Sequence, residues 1–273
     1  MPADPRVHVD HVVLRVADVE RAVAFYGDVL GLAPVGEEGG NATHAALGAP
    51  GADRPLVVLR RSARAGPAPR RATGLFHTAL RWPDRAGLAS ALVRVLEARH
   101  PLAGASDHGV SEALYLDDPD GNGVELYRDR PREQWPAPGA PGERVGMFTA
   151  ALDMDDLLTQ ADERPAIGAD VGHVHLKVAD LPAGERFWED TMGLERMARY
   201  GDQAAFLAAG GYHHHIGLNV WMSRGADPGN PELPGLEAVG LAYPDTETLA
   251  DARARLEGKA AVPAGVSVVA VPA

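Results

Sequence analysis

Apolar and polar positions alternate in HVVLRV, residues 11–16, so every second side chain can face one side of a strand. After Asp18 the period lengthens: VERAVAFYGDVL places apolar residues at helical spacing, and Gly31 follows as a left-handed stop. The succession returns in HVHLKVADLPAGERFWEDTMGL, residues 173–194, with Asp180 as the helix-capping residue, Phe187 and Trp188 as the aromatic pair, and Gly193 as the stop. A second pair of copies is GLFHTALRWPD at 74–84 and GLEAVGLAYPD at 235–245, each followed by an amphipathic stretch, LASALVRVLEARH or LADARARLEGKA. His77 follows His11 by 66 residues, and Ala238 follows His173 by 65. Self-similarity at this scale predicts four units in two pairs.

Behind each predicted helix come short strands. They are HAALG and RPLVVLRR in the first unit, SEALYL and GVELY in the second, and AAFLAAG and HHHIGLNVW in the third. Asp120-Gly121 and Gly210-Gly211 suit hairpin positions with positive φ. The expected fold is α+β, with four βαβββ units paired into two domains on curved mixed sheets. The expected division is a first domain at 1–130 (units 7–61 and 74–130), a linker at 131–169 with a short helix in LDMDDLLTQ, and a second domain at 170–273. The basic stretch RSARAGPAPRRATG falls where two units join and reads as a solvated connection.

Composition narrows the chemistry. With no cysteine, disulfides, iron–sulfur clusters and thiolate ligands are excluded, and imidazole and carboxylate remain as metal ligands for a chain with 11 histidines. A formal charge of −12 disfavours nucleic acid and anionic membrane as partners. The amino terminus has neither a basic stretch nor an apolar run, and no segment reaches the roughly 18 apolar residues of a membrane span, so a cytoplasmic protein is expected.

His11 and His77 each lie on the first strand of a unit, where a single histidine is ordinarily a hydrogen-bonded core residue. The repeat makes the two positions equivalent, and pairing of successive units would bring them together. Glu125, between Val124 and Leu126, would then complete a set of two imidazoles and one carboxylate that leaves adjacent metal positions open. A cation would offset the cost of desolvating that carboxylate. The plainer alternative places Glu125 on a solvated face. A calcium loop in DDPDGNG fails, because Leu116 would occupy its first ligand position and Pro119 interrupts it.

The spacing His108, five residues, Leu114-Tyr115, two residues, Asp118-Pro119, one residue, Gly121, three residues, Glu125 resembles the hallmark of extradiol ring-cleaving dioxygenases. These belong to the vicinal oxygen chelate (glyoxalase-like) superfamily, and the four units resemble the two-domain catechol 2,3-dioxygenase type. The resemblance implies Fe(II), with Mn²⁺ as the alternative, held by His11, His77 and Glu125. It implies His108 as a proton donor or hydrogen-bond partner beside substrate and oxygen, and Tyr115 as a hydrogen-bond partner of a substrate oxygen. The implied reaction opens a catechol-type aromatic vicinal diol outside its two hydroxyls with dioxygen. Two rivals stand beside it: a glyoxalase-like metal-dependent isomerase or lyase, and a binding protein for a small aromatic molecule without a working metal. Association with further copies of the chain stays open.

Several features depart from that family. Its working site lies in the carboxy-terminal half, whereas here the expected site is amino-terminal. His173 stands in the place of His11, but Ala238 replaces His77 and VSVVAVPA has no glutamate, so the second half is expected to be degenerate. A further active-site histidine common in the family has no counterpart in RPLVVLRR. Tyr212-His213-His214-His215, with His173 and His175, is expected to serve packing or an interface.

Overall fold

The computed structural model describes residues 2–36, 40–162, 165–257 and 264–273. The first unit runs β1 (His8–Val16), α1 (Val19–Ala24), a π turn (Phe25–Val29), β2 (Ala33–Pro34), β3 (Gly40–Asn41), β4 (His44–Gly48) and β5 (Val57–Arg61). The second runs β6 (Gly74–Trp82), α2 (Arg85–Glu97), β7 (Gly104–Asp107), β8 (Ser111–Asp117) and β9 (Gly123–Asp129). A connection carrying β10 (Ala150–Ala151) and α3 (Met154–Leu158) leads to the third: β11 (Asp170–Lys177), α4 (Leu181–Arg186), a π turn (Phe187–Thr191), β12 (Glu195–Tyr200), β13 (Ala204–Ala208) and β14 (Ile216–Asn219). The fourth is β15 (Gly235–Tyr243), α5 (Thr246–Leu256) and β16 (Ser267–Pro272). The end of the helical stretch expected over 249–260 lies, past Glu257, outside the described residues.

The first helix of every unit starts at an aspartate. Asp18, Asp84, Asp180 and Asp245 accept from the backbone N–H three residues on, at 3.0, 2.7, 2.8 and 2.9 Å. Such caps contribute about 1 kcal/mol each. Gly31 and Gly193, at φ 82° and 76°, end the helical segments of the first and third units in the left-handed region.

The fold is the expected α+β arrangement of two curved mixed sheets, but the units pair differently. Among the described residues one sheet runs β16-β15-β1-β5-β4-β2, with β3 on β4, and the other runs β10-β7-β8-β9-β6-β11-β14-β13-β12. The first unit therefore joins the fourth through β1 and β15, and the second joins the third through β6 and β11. The division into 1–130 and 170–273 does not follow the sheets. All four units carry the same pattern on their first strand, so either pairing buries the same faces and alternation alone does not choose between them.

In the second sheet, Thr78, Leu80 and Trp82 of β6 are buried on the face covered by α2, while His77, Ala79 and Arg81 point the other way. Ala79 stands in register with Glu125 of β9 on one side and with His173 of β11 on the other. Its methyl group leaves the space above the sheet to the longer side chains on either flank. No described helix is long and apolar enough to cross a membrane.

Candidate metal centre

The Pro119-Asp120-Gly121-Asn122 turn returns the chain from β8 into β9. Asp118 Oδ1 accepts from the backbone N–H groups of Asp120 and Asn122, both at 2.9 Å, and Gly121 takes φ 84°. Closing the hairpin this way sets Tyr115 opposite Glu125. Glu125, 3% exposed, is thereby held on the face that His77 and His173 share.

His77 Nε2 lies 2.9 Å from Glu125 Oε2, and His173 Nε2 lies 3.2 Å from the same oxygen. One ligand atom from each of the three residues falls within 4.8 Å of the others. Two donors about 2.1 Å from one cation, at right angles to each other, stand about 3.0 Å apart. Both measured separations suit that geometry.

Hydrogen bonding points the same way. Despite its distance, His77 Nε2 is out of line with Glu125 and has no hydrogen-bond partner among the described residues, and neither has His173 Nδ1 or His175 Nε2. A buried nitrogen left so costs about 1–3 kcal/mol, which a bound cation would offset at His77. Burial pushes the Glu125 carboxyl up, but the His173 and His77 rings beside it outweigh that and hold it well below the usual range. Burial brings His173 down to about 4 against the pull of Glu125. An ionised carboxylate beside a neutral imidazole is the charge state that metal ligation requires.

Tyr115 borders this cluster, its ring 5.6 Å from that of His77. Burial, then the Glu125 charge, pushes its hydroxyl well above the ordinary 10. His108 Nε2 lies 2.8 Å from Tyr115 Oη, and His108 Nδ1 lies 2.9 Å from the Phe148 carbonyl. A carbonyl only accepts, so the proton belongs on Nδ1 and the Nε2 lone pair faces the tyrosine.

Of the five residues singled out in the sequence, the structure brings together His77, Glu125, Tyr115 and His108, and it leaves His11 apart. His11 is on β1, in the other sheet, where its Nδ1 lies 2.6 Å from Asp10 Oδ2, and Asp10 in turn pairs with Arg54 at 2.9 Å. The His11 ring lies over Gly240, where an added Cβ would come within 2.5 Å of it. No second imidazole faces it from β15, because position 238 is alanine. The equivalent residue His173 takes its place in the cluster, because β11 rather than β1 is the neighbour of β6.

The histidine run also belongs to this centre. The His214 ring is 4.0 Å from the His173 ring, His214 Nδ1 is 2.8 Å from His213 Nδ1, and His213 Nε2 is 2.8 Å from Asp129 Oδ1. Asp129 also accepts from Tyr212 Oη at 2.9 Å and pairs with Arg81 at 2.9 Å. The likeness of residues 173–178 to 11–16 was the signal for His173, and the run itself was the signal for His214.

The family model described as the Glyoxalase/Bleomycin resistance protein/Dioxygenase superfamily matches residues 8–126. The chain is 41% identical over 249 residues to a catechol-2,3-dioxygenase of Bacillus subtilis (strain 168), covering 89% of this chain and 85% of that protein. Among solved structures, a protein of Bacillus subtilis subsp. subtilis str. 168 overlays with a TM-score of 0.62 at 18% identity, covering 92% of this chain and 74% of that one. Glyoxalase I from Zea mays overlays with a TM-score of 0.52 at 16% identity, covering 95% and 81%. These two overlays carry the fold alone.

Proposed function

Because this chain belongs to the glyoxalase/bleomycin resistance protein/dioxygenase superfamily, we propose that it is an extradiol-type dioxygenase, opening the ring of a catechol-type diol at a divalent metal held by His77, Glu125 and His173. The observation that carries this reading is the convergence of two imidazoles and one buried carboxylate beside the hydrogen-bonded pair Tyr115 and His108. The donor set suits Fe(II), with Mn²⁺ as the alternative. When bound, the metal supplies positions at which a vicinal diol and dioxygen meet, and a route for electrons between them.

The protein's own groups do the rest. One carboxylate charge against a divalent ion leaves the centre net positive, which favours a diol that has lost a proton. Tyr115 Oη can accept from a substrate hydroxyl while its own proton goes to His108 Nε2, 2.8 Å away. The substrate proton is thereby held on the imidazole, from which it can return during ring opening. His108 Nδ1, bonded to the Phe148 carbonyl, fixes the ring in the tautomer this transfer needs. His214, its ring tilted against that of His173 at 4.0 Å, adds a further imidazole beside the cluster.

The test is oxygen uptake by anaerobically prepared, Fe(II)-loaded protein supplied with a panel of catechols. The expected result is one dioxygen consumed per diol, with the absorbance of a ring-opened semialdehyde. Iron-loaded protein that consumes no oxygen with any vicinal diol would contradict the reading.

A further inference from the structure

A cavity of about 320 Å³ has His77 and Tyr115 in its wall, so it opens on the proposed metal centre. The same wall holds three cations, Arg15, Arg70 and Lys177. Among its described residues the sole carboxylate is Asp117, and that lies 3.6 Å from Arg70 Nη2. In a chain of net charge −12 this is a local reversal of sign beside the site.

Lys177 is the unusual member. It is 6% exposed, and its ammonium donates to the carbonyls of Pro69 and Arg70 at 2.9 and 3.0 Å. An ammonium has three N–H donors, and no carboxylate among the described residues pairs with this one. Burial, with the Arg70 charge adding to it, brings its pKa down to about 8, so it is still largely protonated at neutral pH. A buried cation without a counter-charge is costly, and carbonyl dipoles offset only part of that cost. The segment around Pro69 and Arg70, expected from its composition to be a solvated connection, is what covers it.

Its position sets the length of what it can reach. His175 is in register with His77, and Lys177 follows two residues later, about 7 Å along the strand. That distance suits a diol chelated beside His77 whose ring substituent runs toward Lys177. Phe76, also in the wall, offers an apolar face to the ring.

We propose that Lys177 is a specificity-determining residue that receives the carboxylate of a substrate whose catechol ring carries a short acidic side chain. The inference rests on the ring-cleaving reading of this site and adds the substrate class to it. The third donor of Lys177 supplies a charge-assisted hydrogen bond, and the substrate supplies the missing counter-charge.

The test uses the full chain loaded with Fe(II), and two probes: 3,4-dihydroxyphenylacetate and its neutral congener 4-methylcatechol. Anaerobic calorimetry gives each affinity, and oxygen uptake gives each kcat/KM. The wild type should favour the acid by about 10-fold or more. Lys177→Gln keeps donors for the two carbonyls but loses the charge. It should weaken the acid by about 10- to 100-fold while leaving the neutral diol within about 3-fold, and Lys177→Arg should restore the preference. A wild type without preference, or a Lys177→Gln variant weakened equally for both diols, would overturn the assignment. Should Lys177→Gln not fold, the wild-type ratio decides, and a ratio near one overturns it. If neither diol is cleaved yet the binding preference and its loss are seen, the ring-cleaving reading fails and the role of Lys177 stands.

Discussion

Acidification of the metal-free protein should unfold it well above the range in which carboxylates titrate. His173, His175, His214 and His215 are all buried, and burial holds each below its ordinary value, to about 4 for His173 and about 3 for His215. At His215 burial is the main cause, with the His213 charge adding to it, and the hydrogen bond that Nδ1 accepts from the Ala209 N–H at 3.2 Å would also have to break on protonation. Between pH 6.5 and 5 the unfolded chain binds protons at these four rings and the folded chain does not, so stability falls as pH falls. An unfolded imidazole of pKa near 6.5 makes the difference about 2 kcal/mol per ring at pH 5, or about 8 kcal/mol for four. That is comparable with the whole stability of an ordinary domain, about 5–15 kcal/mol. Urea unfolding followed by circular dichroism at half-unit steps from pH 7.5 to 5 should show a slope approaching four protons below pH 6. His215→Gln should lower that slope by one proton, about 1.4 kcal/mol per pH unit. A stability that is flat over this range, or a slope of one proton or less, would refute the assignment of neutral buried imidazoles.

Gly123→Ala tests the close approach of β9 and β6. The added Cβ would lie 3.2 Å from the Phe76 carbonyl carbon, nearer still to its oxygen, and 3.3 Å from His77 Cα. Because backbone must give way, the strand bearing Glu125 should move from His77, with about 1–3 kcal/mol lost in unfolding free energy and weaker metal retention by elemental analysis. His108→Ala should retain metal while losing turnover in the oxygen-uptake assay, since it touches Tyr115 and not the ligand cluster. Glu112, 3% exposed, receives Arg85, Arg128 and Arg130 at 2.9, 2.8 and 3.0 Å; Arg85 and Arg130 keep Asp156 and Asp107, so Glu112→Gln takes the paired carboxylate from Arg128 alone and should cost about 1–3 kcal/mol in denaturant titration.

Much of this architecture was legible in local pattern. The aspartate caps, the helix-ending glycines and the turn ahead of Glu125 are short-range devices, and each occurs where its residues stand in the sequence. His77 and Glu125 were singled out from the repeat and from a carboxylate between two apolar neighbours, whereas His108 and Tyr115 stood out only through the resemblance to ring-cleaving dioxygenases. Unit pairing did not follow, because it is a long-range choice among four similar first strands. His11 and His173 have nearly the same flanks, and only the pairing of β6 with β11 decides which one meets His77. Lys177 was invisible for a different reason. Its burial depends on the Pro69 and Arg70 carbonyls more than 100 positions away, and composition marks that segment as surface.

Metal content of the single variants His173→Ala and His11→Ala, each loaded with Fe(II) under the same anaerobic conditions as the wild type, tests the central claim most directly. The centre built from β6, β9 and β11 requires that His173→Ala lose the metal and that His11→Ala retain the wild-type amount. Retention in His173→Ala together with loss in His11→Ala would contradict it.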